Sequence, residues 1–212
     1  MVVKLYRKIQ LAYDLVFREK SYIVKTGFLL SRLKKLPIDA DGEFIPWMNY
    51  PIVEFLKKRL NKEISMFEYG SGFSTMFYSK RVKEVISIEY DMKWYDSIKN
   101  RIKEYQNAKI HFKALNEGYE NAVSEFSDGK PFDLILIDGR KRMECLYKSI
   151  PFLSKKGVII LDDSSREKYS KAFEIMKQEG FNEITFSGLK PRGLGNDSTT
   201  IFYRCGSNVL GI

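Results

Sequence analysis

The sequence predicts an α/β fold: a doubly wound, mostly parallel seven-stranded sheet with a C-terminal antiparallel hairpin and a helical N-terminal extension. Three observations predict it. From Ile64 onward short apolar runs alternate with segments of helical apolar spacing, the pattern of a parallel sheet covered on both faces. The last two β-rich runs are joined by a Gly/Pro loop with no helix between them, which requires antiparallel pairing. Residues 1–60 show helical spacing and no strand, so the chain divides into a basic helical extension and substrate-side lid, 1–60, and a core, 61–212.

A chain of 212 residues with 44% apolar content suffices for one core. No run approaches the roughly 18 apolar residues a membrane span needs, and charges interrupt the N-terminal segment too often for a secretory signal, so a cytoplasmic protein is expected. Cys145 and Cys205 lie far apart, on an expected helix and strand, with no CxxC, and read as buried free thiols rather than a zinc site or disulfide. His111 falls inside an apparent strand and reads as structural.

The net charge of +9 is unevenly placed, because residues 1–35 hold nine Lys/Arg against Asp14 and Glu19, a local excess of +7. Val2, Leu5, Tyr6, Ile9, Tyr13 and Val16 recur at helical spacing, with Lys4, Arg7, Lys8 and Arg18 mostly opposite: an amphipathic basic helix. Three uses stay open: a solvated cap on the core, contact with an anionic membrane surface or acidic partner, and nucleic acid, for which no binding signature is present.

A loop follows at 37–47, then a helix at Tyr50–Leu60. The alternating core reads strand Ile64–Tyr69, helix through Arg81, strand Glu84–Glu89, helix Met92–Tyr105, strand Lys109–Phe112 and helix Tyr119–Phe126. It continues with strand Phe132–Ile137, helix Lys141–Phe152, strand Gly157–Leu161 and helix Glu167–Glu179, then β-runs Glu183–Phe186 and Thr199–Arg204 around the loop Ser187–Ser198. In such a sheet ligands bind beyond the carboxyl ends of the strands.

At that edge Glu68-Tyr69-Gly70-Ser71-Gly72-Phe73-Ser74-Thr75 joins a strand-ending acid to two glycines that allow a tight turn and close approach of a ligand. Glu89 ends the next strand, where an acid can accept hydrogen bonds from both ribose hydroxyls. A dinucleotide would want a third glycine at Thr75, and Glu68 would repel its pyrophosphate. S-adenosylmethionine carries an ammonium and a sulfonium and no phosphate, so the acid favours it. The alternative is a tight turn without a ligand.

This core resembles the class I S-adenosylmethionine-dependent methyltransferases, with their Rossmann-like fold and acid-x-Gly-x-Gly-x-Gly motif; Ser74 stands at the third glycine. The resemblance implies Glu68 and the Gly70, Ser71, Gly72, Ser74 and Thr75 loop at the methionine end, Glu89 at the ribose, Tyr90 and Leu115 at the adenine, with Asp138 adjoining the cofactor.

Asp138 ends one strand and Asp162-Asp163 the next, so three carboxylates converge and need a balancing cation, either Mg²⁺ or the run Arg140-Lys141-Arg142. This arrangement looks like that of metal-dependent O-methyltransferases of the catechol and macrolide-sugar types, which implies Asp138, Asp162 and Asp163 as Mg²⁺ ligands and Asp138 and Lys141 as catalytic groups, Lys141 taking the hydroxyl proton. Sheet-edge bonding for Asp138, helix capping for Asp163 and a solvated Lys141 are the alternatives.

For the acceptor, Trp47 and Tyr50 in the rigid run Ile45–Pro51 offer a wall for a sugar or flat hydroxylated ring, or serve as core. Arg140, with Lys190 and Arg192 of the terminal loop, adds positive charge. The Pro-Trp-x-x-Tyr-Pro run and the closing Thr-Thr-Ile-Phe-Tyr run are similar to bacterial methyltransferases of polysaccharide and lipid-linked glycan synthesis. A small-molecule or glycan acceptor is therefore expected, without specific nucleic acid, with peripheral membrane contact through residues 1–35 and a homodimer left open. An aminopropyl transferase, a nucleic-acid methyltransferase and a non-catalytic binding domain are the rivals on the same fold.

Overall fold

The computed structural model describes residues 2–212, with side chains from Lys4 onward; the Val2 side chain of the predicted apolar stripe lies outside the described residues. Four helices open the chain: α1 (Val2–Phe17), α2 (Tyr22–Lys25), α3 (Phe28–Lys34) and α4 (Tyr50–Arg59). The core runs β1 (Ser65–Tyr69), α5 (Phe73–Ser79), β2 (Glu84–Glu89), α6 (Met92–Ile102), β3 (Ala108–Phe112), α7 (Ala122–Glu125) and β4 (Phe132–Ile137). It closes with α8 (Arg142–Ser149), β5 (Leu153–Asp162), α9 (Ser170–Gln178), β6 (Phe181–Leu189) and β7 (Asn196–Arg204).

The seven strands form one sheet in the order β3-β2-β1-β4-β5-β7-β6, parallel through β5, with β7 antiparallel to both β5 and β6. The strand order reverses between β1 and β4, and this is the crevice where a doubly wound sheet admits a ligand. Alternation along the strands splits the core. Met66, Leu134, Leu136, Val158 and Ile160 face α4 and α5, whereas Phe67, Ile135, Ile137, Ile159 and Leu161 face α7, α8 and α9. Each of these strand residues is fully buried, worth about 2 kcal/mol of transfer free energy apiece.

The predicted elements return with shifted bounds: β5 starts at Leu153 and not at Gly157, and the helix expected at Lys141–Phe152 is α8 closed by a 3-10 turn. The hairpin pairs three rungs further than its sequence suggested, to Leu189 opposite Asn196, so the expected loop Ser187–Ser198 shrinks to a turn at 190–195. The helix expected at Tyr119–Phe126 is a 3-10 turn followed by the short α7. Helix α4 shares the main core with the sheet, so only α1 stands away from it. Cys145 is buried, but Cys205 is exposed, because it lies one residue past the end of β7 and not within it. His111 is a half-buried β3 residue whose ring packs on Phe126 at 4.2 Å between centroids.

Candidate active site

Two adjoining cavities lie across the carboxyl ends of β1, β2, β4 and β5. The larger, about 560 Å³, is lined by the Gly70–Ser74 loop, Glu89–Asp91, Trp94 and Asp138–Arg142. The smaller, about 390 Å³, is lined by Asp162, Asp163, Lys190 and Asp197. Trp47, Asp138 and Arg166 line both.

The loop between β1 and α5 is shaped by one demanding glycine. Gly70 has a φ of 90°, and a Cβ there would stand 2.9 Å from the Gly139 Cα and N. Gly72 is extended backbone, and its Cβ would make ordinary contacts with the Trp94 ring at 3.6 Å and Ser74 Oγ at 4.0 Å. The loop amides are spent within the chain: Gly70 N–H donates to the Ile88 carbonyl at 2.9 Å, Ser71 N–H to Glu89 at 3.1 Å and Gly72 N–H to Thr75 Oγ1 at 3.1 Å. A pyrophosphate needs free N–H donors at such a turn, and these three are already committed.

Glu89, buried at the end of β2, accepts from Ser71 N and Oγ on one oxygen and from the Tyr90 and Asp91 amides on the other. Ser71 Oγ is the one side-chain donor among the four, and the one a ribose hydroxyl can displace. Asp91 caps α6 through the Trp94 amide, and Trp94 Nε1 donates to the Ser71 carbonyl at 2.8 Å. The Asp-x-x-Trp spacing is the signal that reveals Trp94 as a wall of the cavity.

Glu68, expected at the methionine end, does not line the cavity. It is fully buried beneath the loop and accepts from Ser74 at 2.5 Å, Thr75 at 2.6 Å and Ser87 at 2.5 Å. Register explains it: Glu68 pairs opposite Ser87, below the strand end that Glu89 reaches. Thr75 likewise supports the loop from below, whereas Ser71, Gly72, Ser74 and Tyr90 line the cavity. Leu115, expected at the adenine, packs against the second core and is not in the lining. Burial pushes the Glu68 carboxyl up to about 7, against the pull of its three hydroxyl donors. The folded state therefore holds the proton more tightly than the unfolded chain, and stability falls as pH rises from the ordinary value of 4.5 through about 7. Glu68→Gln removes this dependence: in urea melts at about pH 5 and pH 8 the wild type loses about 2–3 kcal/mol relative to the variant, and parallel profiles would refute the assignment.

The three aspartates do converge, with one oxygen of each within 4.8 Å of the others. Asp162 and Asp163 are neighbours that a strand would send to opposite faces; a left-handed φ of 53° at Asp163 turns its carboxylate back. The cluster is filled by the chain's own cations. Arg142 reaches Asp138 Oδ1 at 2.9 Å and Asp163 Oδ2 at 3.2 Å, Lys190 Nζ reaches Asp162 Oδ2 at 3.0 Å and also Asp163 Oδ1, and Arg166 reaches Asp163 Oδ2 at 2.5 Å. Thr199 Oγ1 donates to Asp162 Oδ1 at 2.6 Å and accepts from Asn49, the N-cap of α4, at 3.0 Å. Five of the six carboxylate oxygens are thus engaged, and Asp138 Oδ2 alone has no hydrogen-bond donor among the described residues. Burial and the charge of Asp162 hold the Asp138 carboxyl above its ordinary value. Asp163 stays low despite burial, because Lys190 and Arg142 face it.

Other expected residues are placed differently. Lys141 borders the larger cavity but donates to Glu120 at 2.9 Å, a bond that raises its pKa and keeps its ammonium charged, the wrong state for a base. Tyr50 is buried in the core against Tyr22 and Phe28, because the Asn49 cap starts α4 with Tyr50 facing inward. Trp47 is 39% exposed between the cavities, with Arg192 over its ring at 5.5 Å. Arg140 donates to the Tyr90 hydroxyl at 3.0 Å at the rim. Gly139, at the ligand edge after β4, has a structural role the sequence does not reveal: a Cβ there would overlap the Tyr119 hydroxyl at 2.2 Å.

No protein-family model matches the chain, and no curated protein matches it by sequence. Solved structures do. An O-methyltransferase from Bacillus cereus in complex with SAH is similar at a TM-score of 0.60 and 15% identity, over 93% of this chain and 97% of that one. The O-methyltransferase TomG from Streptomyces achromogenes, involved in tomaymycin synthesis and in complex with SAM, is similar at 0.59 and 14%, over 94% and 96%. An rRNA methylase from Streptococcus thermophilus is similar at 0.57 and 14%, over 76% of this chain and 100% of that one. The chain has the class I methyltransferase fold. The seven-stranded methyltransferase sheet with its reversed last strand is complete here, and both cavities lie at the edge where that fold places a ligand. The likeness to the two O-methyltransferases covers over nine-tenths of this chain.

Proposed function

We propose that the chain is an S-adenosylmethionine-dependent methyltransferase acting on a hydroxyl of a small molecule or glycan. The observation that carries the reading is the meeting of two cavities at Asp138, the one residue of its cluster with an unengaged carboxylate oxygen. A loop whose amides are spent internally, beside Glu89, suits a cationic nucleoside better than a diphosphate.

When bound, the cofactor supplies an electrophilic methyl on a sulfonium. The chain's part is to hold and orient. Ser71, Gly72 and Glu89 seat the nucleoside, Trp47 walls the passage between the cavities, and Asp138 Oδ2 receives the proton of the attacking hydroxyl. Arg140 gives the entrance a positive charge that favours an acceptor bearing an acidic group. The same charge disfavours the polycationic substrate of an aminopropyl transferase. Incubating the full chain with methyl-labelled cofactor and a panel of catechols, hydroxy acids and uronic-acid sugars tests the reading: label appears as a methyl ether on at least one acceptor. Cofactor binding with no transfer to any of them would favour a non-catalytic binding domain.

A further inference from the structure

We propose that Lys190 is a built-in replacement for the divalent cation at the Asp138, Asp162 and Asp163 cluster, so that this site works with an ammonium and two guanidinium groups in place of a metal. The three carboxylates have the placement of a magnesium site, yet their shared space is occupied. Lys190 is buried between Asp162 and Asp163 and lies 3.5 Å from Asp197. Arg142, also buried, closes the side toward Asp138. Mg²⁺ requires about six oxygen ligands near 2.1 Å, several of them water, and cannot enter without expelling the lysine. Four carboxylates, with Asp197, face three cations, Lys190, Arg142 and Arg166, so little uncompensated charge remains to draw in a divalent ion.

The position of Lys190 has a second consequence. It is the first residue after β6, so its ion pairs latch the 190–195 turn onto the ends of β5 and β7. On the proposed reading of the cavities, the acceptor then needs one hydroxyl facing Asp138 and not two chelating oxygens. The metal test is independent of that reading, because it requires neither cofactor nor turnover.

The test is titration of the full chain with Mn²⁺, followed by electron paramagnetic resonance, for the wild type, Lys190→Ala and Lys190→Met, the last retaining the packing of the stem. The wild type leaves Mn²⁺ free, and a folded variant binds one ion at least ten times more tightly, an affinity lost on adding Asp163→Asn. One Mn²⁺ bound by the wild type as tightly as by the variants overturns the proposal, and so do folded variants that still ignore the ion. Should neither variant fold, the wild-type titration decides: one bound Mn²⁺ abolished by Asp162→Asn overturns the proposal, and none supports it.

Helix α1 carries a second, independent inference. Leu5, Tyr6, Ile9, Tyr13 and Phe17 are each 58–67% exposed, with Lys4, Arg7 and Lys8 on the other arc, which also carries Leu11 and Leu15, each 60% exposed. No described helix is long and apolar enough to cross a bilayer. We infer that α1 lies in the surface of an anionic bilayer, the occupant that matches both its exposed aromatic and aliphatic residues and the net charge of +7 over residues 1–35. Arg32 of α3 donates to the Arg192 carbonyl at 2.7 Å, which ties this end of the chain to the acceptor-side turn. In co-sedimentation the full chain pellets at least tenfold more with phosphatidylglycerol vesicles than with phosphatidylcholine vesicles, and Tyr13→Glu removes the difference. Equal sedimentation with both lipids overturns the inference, as does self-association that Tyr13→Glu abolishes without any vesicle binding.

Discussion

Gly70→Ala reduces affinity for S-adenosylmethionine at least about 100-fold, a loss near 3 kcal/mol, while Gly72→Ala stays within about threefold of the wild type. The contrast follows from backbone and not from motif. A side chain at Gly70 must adopt a φ of 90° and push its Cβ against the Gly139 backbone at 2.9 Å, so the β1 and β4 ends have to part. Nothing flexible is available to give way. Gly72 is extended, and its added carbon makes an ordinary contact with Trp94 at 3.6 Å. Calorimetric titration of both variants checks this, with circular dichroism to register any loss of fold. Equal losses at the two glycines would refute the account of the loop, although the GxG motif alone gives both equal weight.

Asp138→Asn lowers methyl transfer by about 10²–10⁴-fold, the range for removing a positioned general base, and leaves cofactor affinity within about threefold. The asparagine keeps an oxygen for Arg142, which now bonds Asp138 Oδ1 at 2.9 Å, and removes only the ability to accept a proton. Single-turnover rates with the best acceptor separate this from a binding defect. A variant within about tenfold of the wild-type rate would return the base role to another group. Lys141→Met is the paired control. Its ammonium belongs to Glu120, so its loss changes the single-turnover rate by less than about threefold.

Much of the fold is legible in the chain because buried parallel strands read as unbroken apolar runs. Leu134–Ile137 is recognisable for that reason, and the residues just past each strand fall at the ligand edge automatically. What the pattern does not encode is depth within a strand. Glu68 and Glu89 look equivalent as strand-ending acids, yet Glu68 pairs with Ser87 and sinks under the loop, whereas Glu89 reaches the edge. Side-chain direction at a helix start is equally hidden: the Asn49 cap turns Tyr50 into the core while Trp47, three residues earlier, faces the cavities. Convergence of Asp138, Asp162 and Asp163 is readable from strand order alone. The cation among them is not, because Lys190 reaches them only when the hairpin pairs as far as Leu189 and Asn196, beyond the β-rich runs visible in the sequence.

Calorimetric titration of the full chain with S-adenosylmethionine, and in parallel with NAD, is the most direct test. The spent amides of Gly70, Ser71 and Gly72 and the carboxylate of Glu89 predict one S-adenosylmethionine bound per chain and no heat from NAD. Tight binding of the dinucleotide, with none of S-adenosylmethionine, would contradict the account.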